Sequence, residues 1–275
     1  PVSSPVDRRG WWRSAAAIDR YKALYPKGPL IVALGGTDVN SFLKTDPEVT
    51  LKSMEIADAL VCLHDLIGNA LPKHLRKKLH VIKQSASPLP GPRKPTTRHF
   101  DVCVVGHLRE EKDPMRAALA ARLVPERSRL RVIHLGKAHN QAFAKAAQKE
   151  MATNPRYIWK GEVPAWRVRR EYARTQAMVI TSNQEGGANV VSEAIAAGVP
   201  VIASDIDGNI GLLGKDYAGF YPVQDEAALA DVLWRAENEA KFLKELTRQT
   251  KKLRPLFLAK HEAKGWVDVV ETVCR

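Results

Sequence analysis

Six apolar runs of strand length, DVCVVG, LRVIHLG, YIWKG, AMVIT, VPVIA and AGFYPV, follow one another through the second half of the chain with helical patterns between them. A strand needs a continuous apolar run, not an alternating one, when both faces of its sheet are covered, and strands separated by helices pair in parallel. The runs therefore predict an α/β domain with a parallel sheet. Three earlier runs, PLIVAL, DALVCL and LHVIK, predict a second, smaller unit before it. Residues 85–99, rich in Pro, Ser and basic side chains, have linker composition. The expected division is 1–90, 91–254 and 255–275: residues 229–254 form a helix that closes the second domain, Pro255 breaks it, and 261–274 form a last helix. The chain opens on a polar segment, PVSSPVDRRGWWRSAAAIDRYKALYP, that leads into a helix.

Within this frame, residues 185–209, EGGANVVSEAIAAGVPVIASDIDGN, concentrate the chemistry. Glu185 and Glu193 flank a glycine turn and the start of a short helix, which Gly198 and Pro200 stop before the next strand. Asn189 is expected to cap that helix, with its first amides facing the Gly186–Gly187 turn. A helix N-terminus at the carboxyl end of a strand is where open α/β sheets bind anionic ligands. Carboxylates accept charge-assisted hydrogen bonds from sugar hydroxyls, while amides and basic side chains hold phosphates. The unit thus fits a nucleotide sugar; the alternative is a solvated glutamate beside a capping loop.

Composition narrows the partners. With 275 residues and 45% hydrophobic content the chain can bury two cores, and no apolar run approaches the about 18 residues of a membrane span. The formal charge of +13 is scattered along helices and the linker, without RNP-type aromatics, a zinc finger or a bZIP-like run. Phosphorylated ligands fit that distribution better than nucleic acid, and a peripheral contact with an acidic membrane stays open. Cys62, Cys103 and Cys274 are odd in number and widely spaced, which favours free thiols in a reducing cytoplasm over disulfides or a zinc site. His134 and His139 lack the spacing of a metal pair.

The Glu-x7-Glu spacing followed by AAGVPVIAS resembles the donor site of GT-B glycosyltransferases, in particular the large retaining family that uses nucleotide sugars. The blocks VALGGTDVN, GHLREEKDPMRAALAARL, NPRYIWKGEVP and EGGANVVSEAIAAGVPVIASDIDGNIGLLGKDYAGFYPV resemble more narrowly the selenosugar synthases of selenoneine biosynthesis, and they span most of the chain from Ile31 onward. This likeness implies two Rossmann-like domains facing across a cleft, with the last helix packing back on the first domain. That first domain would be abbreviated: the family's opening strand and glycine-rich loop have no counterpart, and about 90 residues is short of the usual ~100–150.

By the same resemblance, Glu185 contacts the donor sugar and Glu193 the ribose, with Gly186, Gly187, Ala188 and Asn189 around them. The loop GHLREEKDP cradles the donor diphosphate. His107 stands where relatives have an arginine, and it either bonds a phosphate or packs at the strand end. Lys112 keeps the family's lysine position, and Arg109 is the next candidate; both could instead be exposed ion pairs with Glu110 or Glu111. Gly161 and Glu162 fall where relatives pair a uracil through backbone groups, and Trp159 is a core residue or part of that site. Gly36, Thr37 and Asp38 lie across the cleft from the sugar. There Asp38 serves as base or acceptor-orienting group, or caps a helix as a DxN turn does. Gly208 and Asn209 are expected in a flexible turn whose amides reach the donor.

The resemblance implies transfer of a hexose from UDP-GlcNAc or UDP-glucose to selenophosphate, with no cofactor and no metal. Two other functions share these residues: a conventional glycosyltransferase with a hydroxyl acceptor, and a non-catalytic nucleotide-sugar or nucleic-acid binding module.

Overall fold

A computed structural model describes residues 12–274, so the first 11 residues of the polar opening segment lie outside the described residues. The first half runs α1 (Trp12–Leu24), β1 (Ile31–Ala33), a π-helical turn (Asp38–Phe42), α2 (Leu43–Thr45), α3 (Pro47–Ile56), β2 (Ala59–Cys62), α4 (Ile67–Ala70) and β3 (Leu79–Val81). Residues 82–99 carry no helix or strand. The second half continues with β4 (Phe100–Val105), α5 (Arg116–Leu123), β5 (Leu130–Leu135), α6 (Gln141–Thr153), β6 (Tyr157–Trp159), α7 (Ala165–Arg174) and β7 (Ala177–Ile180). After these come α8 (Asn189–Ala196), β8 (Val201–Ser204), α9 (Asp207–Leu213), β9 (Phe220–Tyr221), α10 (Glu226–Asn238), α11 (Ala240–Leu253) and α12 (Ala259–Val273).

All the apolar runs form strands, and every pairing is parallel. The small sheet has the order β1-β2-β3 and the large one β6-β5-β4-β7-β8-β9. Residues of β7 and β8 are buried throughout, as covering on both faces requires. Helix α5 lies close against the second core because its inward face is Ala117, Ala118, Ala120 and Ala121, all buried. In the large sheet the chain winds one way from β4 to β5 and the other way from β7 to β8. The crevice between the carboxyl ends of β4 and β7 is therefore the topological switch point, where ligands bind in open α/β sheets.

Two expectations about helices need correction. Residues 229–254 do not form one helix: the chain turns at Glu239, which is extended (φ −104°, ψ 91°), separating α10 from α11. The break lets Phe242, Leu246 and Thr250, four residues apart, turn a new stripe into the core. Residues 207–213 are not a flexible turn but helix α9, considered below. The last helix, α12, returns to the small sheet, where Val269 is buried with Ala59, Val61 and Ile82. No described helix is long and apolar enough to cross a membrane. The thiols of Cys62 and Cys103 are free and buried, and burial raises them to about 11 and about 12.

Where the two sheets meet, His64, just after β2, packs on α9: a Cβ added to Gly211 would lie 2.5 Å from the imidazole. His64 is 2% exposed, and neither ring nitrogen has a hydrogen-bond partner among the described residues. Lys83 beside it donates from Nζ to the Gly211 carbonyl at 2.8 Å. Burial lowers the His64 pKa and the Lys83 charge lowers it further, against the opposing pull of Asp65 and Asp207. A histidine held neutral in the folded state costs nothing above its ordinary pKa of about 6.5. Below that pH the unfolded chain takes up a proton that the folded chain refuses, so stability falls as pH falls. His64→Leu removes both the unmet nitrogens and the titration. We expect it to raise stability by about 1 kcal/mol at pH 7 and to flatten the loss between about pH 6.5 and 5 relative to wild type. Denaturant unfolding over that pH range measures both effects.

Candidate functional site

The site is built from the loops that follow β1, β2, β4 and β7. The loop after β4 makes a short 3-10 turn over Glu110–Lys112, closed by Asp113 in the left-handed region (φ 43°). The loop after β7 is tied to it. Thr181 Oγ1 donates to the Lys112 carbonyl at 2.8 Å, and the Asn183 amide donates to the Glu111 carbonyl at 2.9 Å. This clamp aims two predicted residues at each other, for Lys112 Nζ forms an ion pair with Glu185 Oε1, which also accepts from Ser182 Oγ at 2.6 Å. Arg109 Nε instead lies 3.1 Å from a Glu111 carboxylate oxygen as an ion pair without a hydrogen bond, both side chains being half-exposed while the Nε atom itself is buried. Arg109 thus has the Glu111 contact that the sequence offered as its alternative role, whereas Lys112 makes no such pair with Glu110 or Glu111.

The opposite wall comes from the small sheet. Gly36 follows β1 and lies against Gly186 so closely that a Cβ on Gly186 would be 2.1 Å from the Gly36 Cα. Gly187 has φ +114°, and a Cβ there would meet the Leu63 Cβ at 2.6 Å. Above this contact lies a cavity of about 640 Å³, lined on the small-sheet side by Gly36, Thr37, Asn40, Ser41 and Leu63. On the large-sheet side it meets the two cradle loops. A second cavity of about 400 Å³ shares Arg109, Lys112, Glu185 and Gly187 with the first and extends past His107, Ala188 and Glu162. A third, also about 400 Å³, shares Val105, Val168, Asn189 and Val190 with the second and ends at Arg169, Tyr172 and Glu193. The three form one trough, with Glu185 and Glu193 on opposite sides of the α8 N-terminus.

Glu193 is half-buried, and burial raises its carboxyl pKa against the opposing effects of Tyr172, Arg169 and Asn189. Tyr172 Oη donates to it at 3.4 Å and Asn189 Nδ2 at 3.0 Å. Asn189 is thus not the helix cap: the N-cap position is Ala188, without a side-chain bond, and Asn189 spends its amide one turn ahead on Glu193. His107 Nδ1 accepts the Lys137 amide at 3.1 Å, which fastens the loop after β5 while the ring stays on the wall of the second cavity. The Gly161 carbonyl accepts the Gly136 amide at 2.8 Å, and Trp159 Nε1 donates to the Gly136 carbonyl at 2.9 Å, so both support the Gly136 turn. Glu162 lines the second cavity.

Four sequence candidates are not brought into the trough, and one of them is Gly161, which is spent on the Gly136 turn. Asp38 is 5% exposed, and its carboxylate accepts the Gly35 amide at 2.7 Å on the far side of β1. Burial there pushes its pKa up to about 6, with the Gly35 bond opposing. Gly208 and Asn209 are buried in α9. Asn209 Nδ2 donates to the Ser204 carbonyl at 2.9 Å, and Gly208 lets α9 pass under the Glu185 carbonyl, which a Cβ would approach to 2.3 Å. Both support the Glu185 loop from below. Conversely, Asn40, Ser41, Asn183, Gln184 and Arg169 line the trough but were missed. The signal for Asn183 and Gln184 was their place directly before Glu185. Among the described residues no group of three or more His, Cys, Asp or Glu is placed to hold a metal ion.

The family model for glycosyl transferases group 1 matches residues 92–253, more than half of the chain. The chain belongs to that family. A Bacillus subtilis protein named as the teichuronic acid biosynthesis glycosyltransferase TuaC is 35% identical over 91 residues, which are 33% of this chain and 23% of that protein. The match thus spans less than a quarter of that relative's length. Among solved structures, Anabaena HepE in complex with UDP superposes with a TM-score of 0.79 at 16% identity, covering 94% of this chain and 77% of that one. The pneumococcal O-GlcNAc transferase GtfA, in complex with UDP and GlcNAc, gives 0.74 at 16% identity, covering 94% of this chain and 54% of its own. At such identity the likeness is one of fold, and the fold is GT-B, with Rossmann-like parallel sheets.

The Gly36–Gly186 contact generates a test. In Gly186→Ala the two loops must part, because backbone cannot yield as a flexible side chain can. We expect faster amide hydrogen exchange at Gly36, Gly187 and Leu63 with the strand amides of β4 and β7 unchanged, read by mass spectrometry.

Proposed function

We propose that this group 1 glycosyltransferase uses a UDP-sugar as donor and selenophosphate as acceptor. The observation that carries the donor assignment is the junction of the first and second cavities at Arg109, Lys112, Glu185 and Gly187, where two cations and a carboxylate converge. In this reading the nucleotide occupies the second and third cavities, with its ribose against Glu193 and its base toward Glu162. The diphosphate lies beside Lys112 and Arg109 and the amides of Gly186 and Gly187, and Glu185 accepts hydroxyls of the sugar. The anomeric carbon then sits at the junction, open to the first cavity.

Breaking the bond between the anomeric carbon and the diphosphate oxygen leaves its electron pair on UDP. Lys112 is a compact charge on a flexible stem that can follow that developing charge. Glu185 balances Lys112 while the cleft is empty. A bound donor supplies both with new partners, hydroxyls for the carboxylate and phosphate oxygens for the ammonium. The selenium of selenophosphate donates the pair that forms the new C–Se bond, so that UDP and a selenosugar phosphate are the products. This nucleophile is already anionic and polarizable and needs no base. That agrees with a facing wall of Thr37, Asn40 and Ser41 that presents no titratable group, Asp38 being turned away. The resemblance of the motif blocks to selenosugar synthases supports the same acceptor.

Purified protein given UDP-GlcNAc or UDP-glucose with selenophosphate is expected to release UDP and to form a selenosugar phosphate, or the selenosugar and inorganic phosphate left when water cleaves its Se–P bond, detected by mass spectrometry. UDP release that requires a hydroxyl acceptor and ignores selenophosphate would replace this acceptor with an alcohol or saccharide. No turnover of any UDP-sugar would leave a binding module.

The donor contacts separate by variant. Lys112→Ala should lower kcat/KM by at least ~30-fold, equivalent to about 2 kcal/mol of transition-state stabilisation. Glu193→Gln should weaken UDP binding in calorimetry, whereas Glu185→Ala should lower turnover more than UDP affinity. Unchanged UDP affinity in the first of these two and unchanged activity in the second would overturn the assignment.

A further inference from the structure

The π-helical turn Asp38–Phe42 is held at three points. Val39 and Phe42 are buried in the first core with Leu34, and the Asp38 carboxylate holds the Gly35 amide. A widened turn of this kind re-aims side chains that an α-helix would point elsewhere, and such turns recur at functional sites. Here it turns Asn40 and Ser41 to the first cavity, next to Thr37 and opposite Arg109 and Lys112. Asn40 and Ser41 are half-buried. None of the three spends its side chain on a hydrogen bond to another described residue. On the opposite wall, Glu185 is occupied by Lys112 and Ser182, and Arg109 stands in ion-pair contact with Glu111 without a hydrogen bond. Among the described residues, the small-sheet wall thus presents three unengaged neutral side chains together, while the unengaged groups on the opposite wall are Gln184 and the Glu110 carboxylate.

We propose that Asn40 and Ser41, with Thr37, select the acceptor by holding the phosphoryl oxygens of a small phosphate-bearing nucleophile. The proposal rests on the glycosyltransferase reading above and deepens it. Two hydroxyls and a carboxamide can each donate a hydrogen bond to a phosphate oxygen, and such bonds to an ionised group are the strong ones. The wall carries no negative charge of its own on the cavity side, because the one acid of the turn is locked behind it on Gly35. A dianion held there faces Arg109 and Lys112 across the cavity, together with Glu110, Glu111 and Glu185, so it is the neutral donors of the small-sheet wall that hold it and turn its nucleophilic atom toward the junction where the donor's anomeric carbon would lie. Chain direction also suits the role: the turn follows β1, the strand whose loop carries Gly36 against Gly186, so acceptor wall and donor loop are fixed to each other through that contact.

Ser41→Ala, Asn40→Ala and Asn40→Asp test the assignment with selenophosphate or thiophosphate as acceptor and a UDP-sugar as donor. The two alanine variants are expected to raise the acceptor KM by about tenfold or more, the scale of a lost hydrogen bond to a charged group. UDP affinity by calorimetry should stay within about twofold, since the donor contacts lie on the other wall. Asn40→Asp, nearly isosteric with the native residue, should lose at least another tenfold in kcat/KM, because a carboxylate facing a dianion repels it. Unchanged acceptor KM in both alanine variants overturns the proposal, as does an Asn40→Asp enzyme that uses the anionic acceptor as well as wild type. If wild type turns over the UDP-sugar only with a hydroxyl acceptor, the anionic class is wrong while the donor reading stands. A loss of UDP affinity in every variant would mean that the turn shapes the donor site instead.

Discussion

The backbone contact between Gly36 and Gly186 is the constraint on which the rest of the site depends. Two sheets with separate cores touch carboxyl end to carboxyl end, and at that point neither loop has room for a single side-chain carbon. Because the loops meet through backbone, the cavity above them is walled by both sheets, and residues about 150 positions apart face one another. Leu63 against Gly187 and His64 against Gly211 extend the same contact sideways. The return of α12 to the small sheet, through Val269 and the bond from the Ser85 amide to Glu262, closes the arrangement on the other side.

Inside the cleft, two of the cations are already paired before any ligand arrives. Lys112 with Glu185 and Arg109 with Glu111 are mutual pairs, while Glu110 and Glu193 line the trough without an ion pair among the described residues. Such pairing costs a ligand little to undo when the ligand brings both partners that the pair gives up, as a sugar diphosphate does with hydroxyls and phosphate oxygens. Glu193 differs, since burial raises its pKa and its bonds from Tyr172 and Asn189 fix its orientation. One carboxylate is thus exchangeable and the other preset, although they stand only eight positions apart on one loop-helix unit.

Much of the fold was legible because continuous apolar runs and glycine punctuation are local signals: a strand covered on both faces must be apolar at every position, and each of the runs became a strand. The Glu185 loop was legible for the same reason, since a strand end, a glycine turn and a helix start fall within a dozen residues. Asn189, Asp38, Gly208 and Asn209 were misread, and each for a tertiary reason. Asn189 had a better partner one helical turn away in Glu193. The carboxylate of Asp38 was claimed by Gly35 when Val39 and Phe42 went into the core. In α9, Gly208 and Asn209 serve as the bed of the Glu185 loop, which their turn-like composition conceals.

What the sequence by itself determined is the existence of two parallel α/β units and the chemical character of the loop between β7 and α8, because hydrophobic periodicity and turn residues act within a few positions of where they are written. The tertiary structure alone decided which loops oppose one another, that Lys112 meets Glu185, that Asn40 and Ser41 share a cavity with them, and that Asp38 does not. Those outcomes depend on the approach of one sheet to another across a glycine contact, and no window of the chain contains both sides of it.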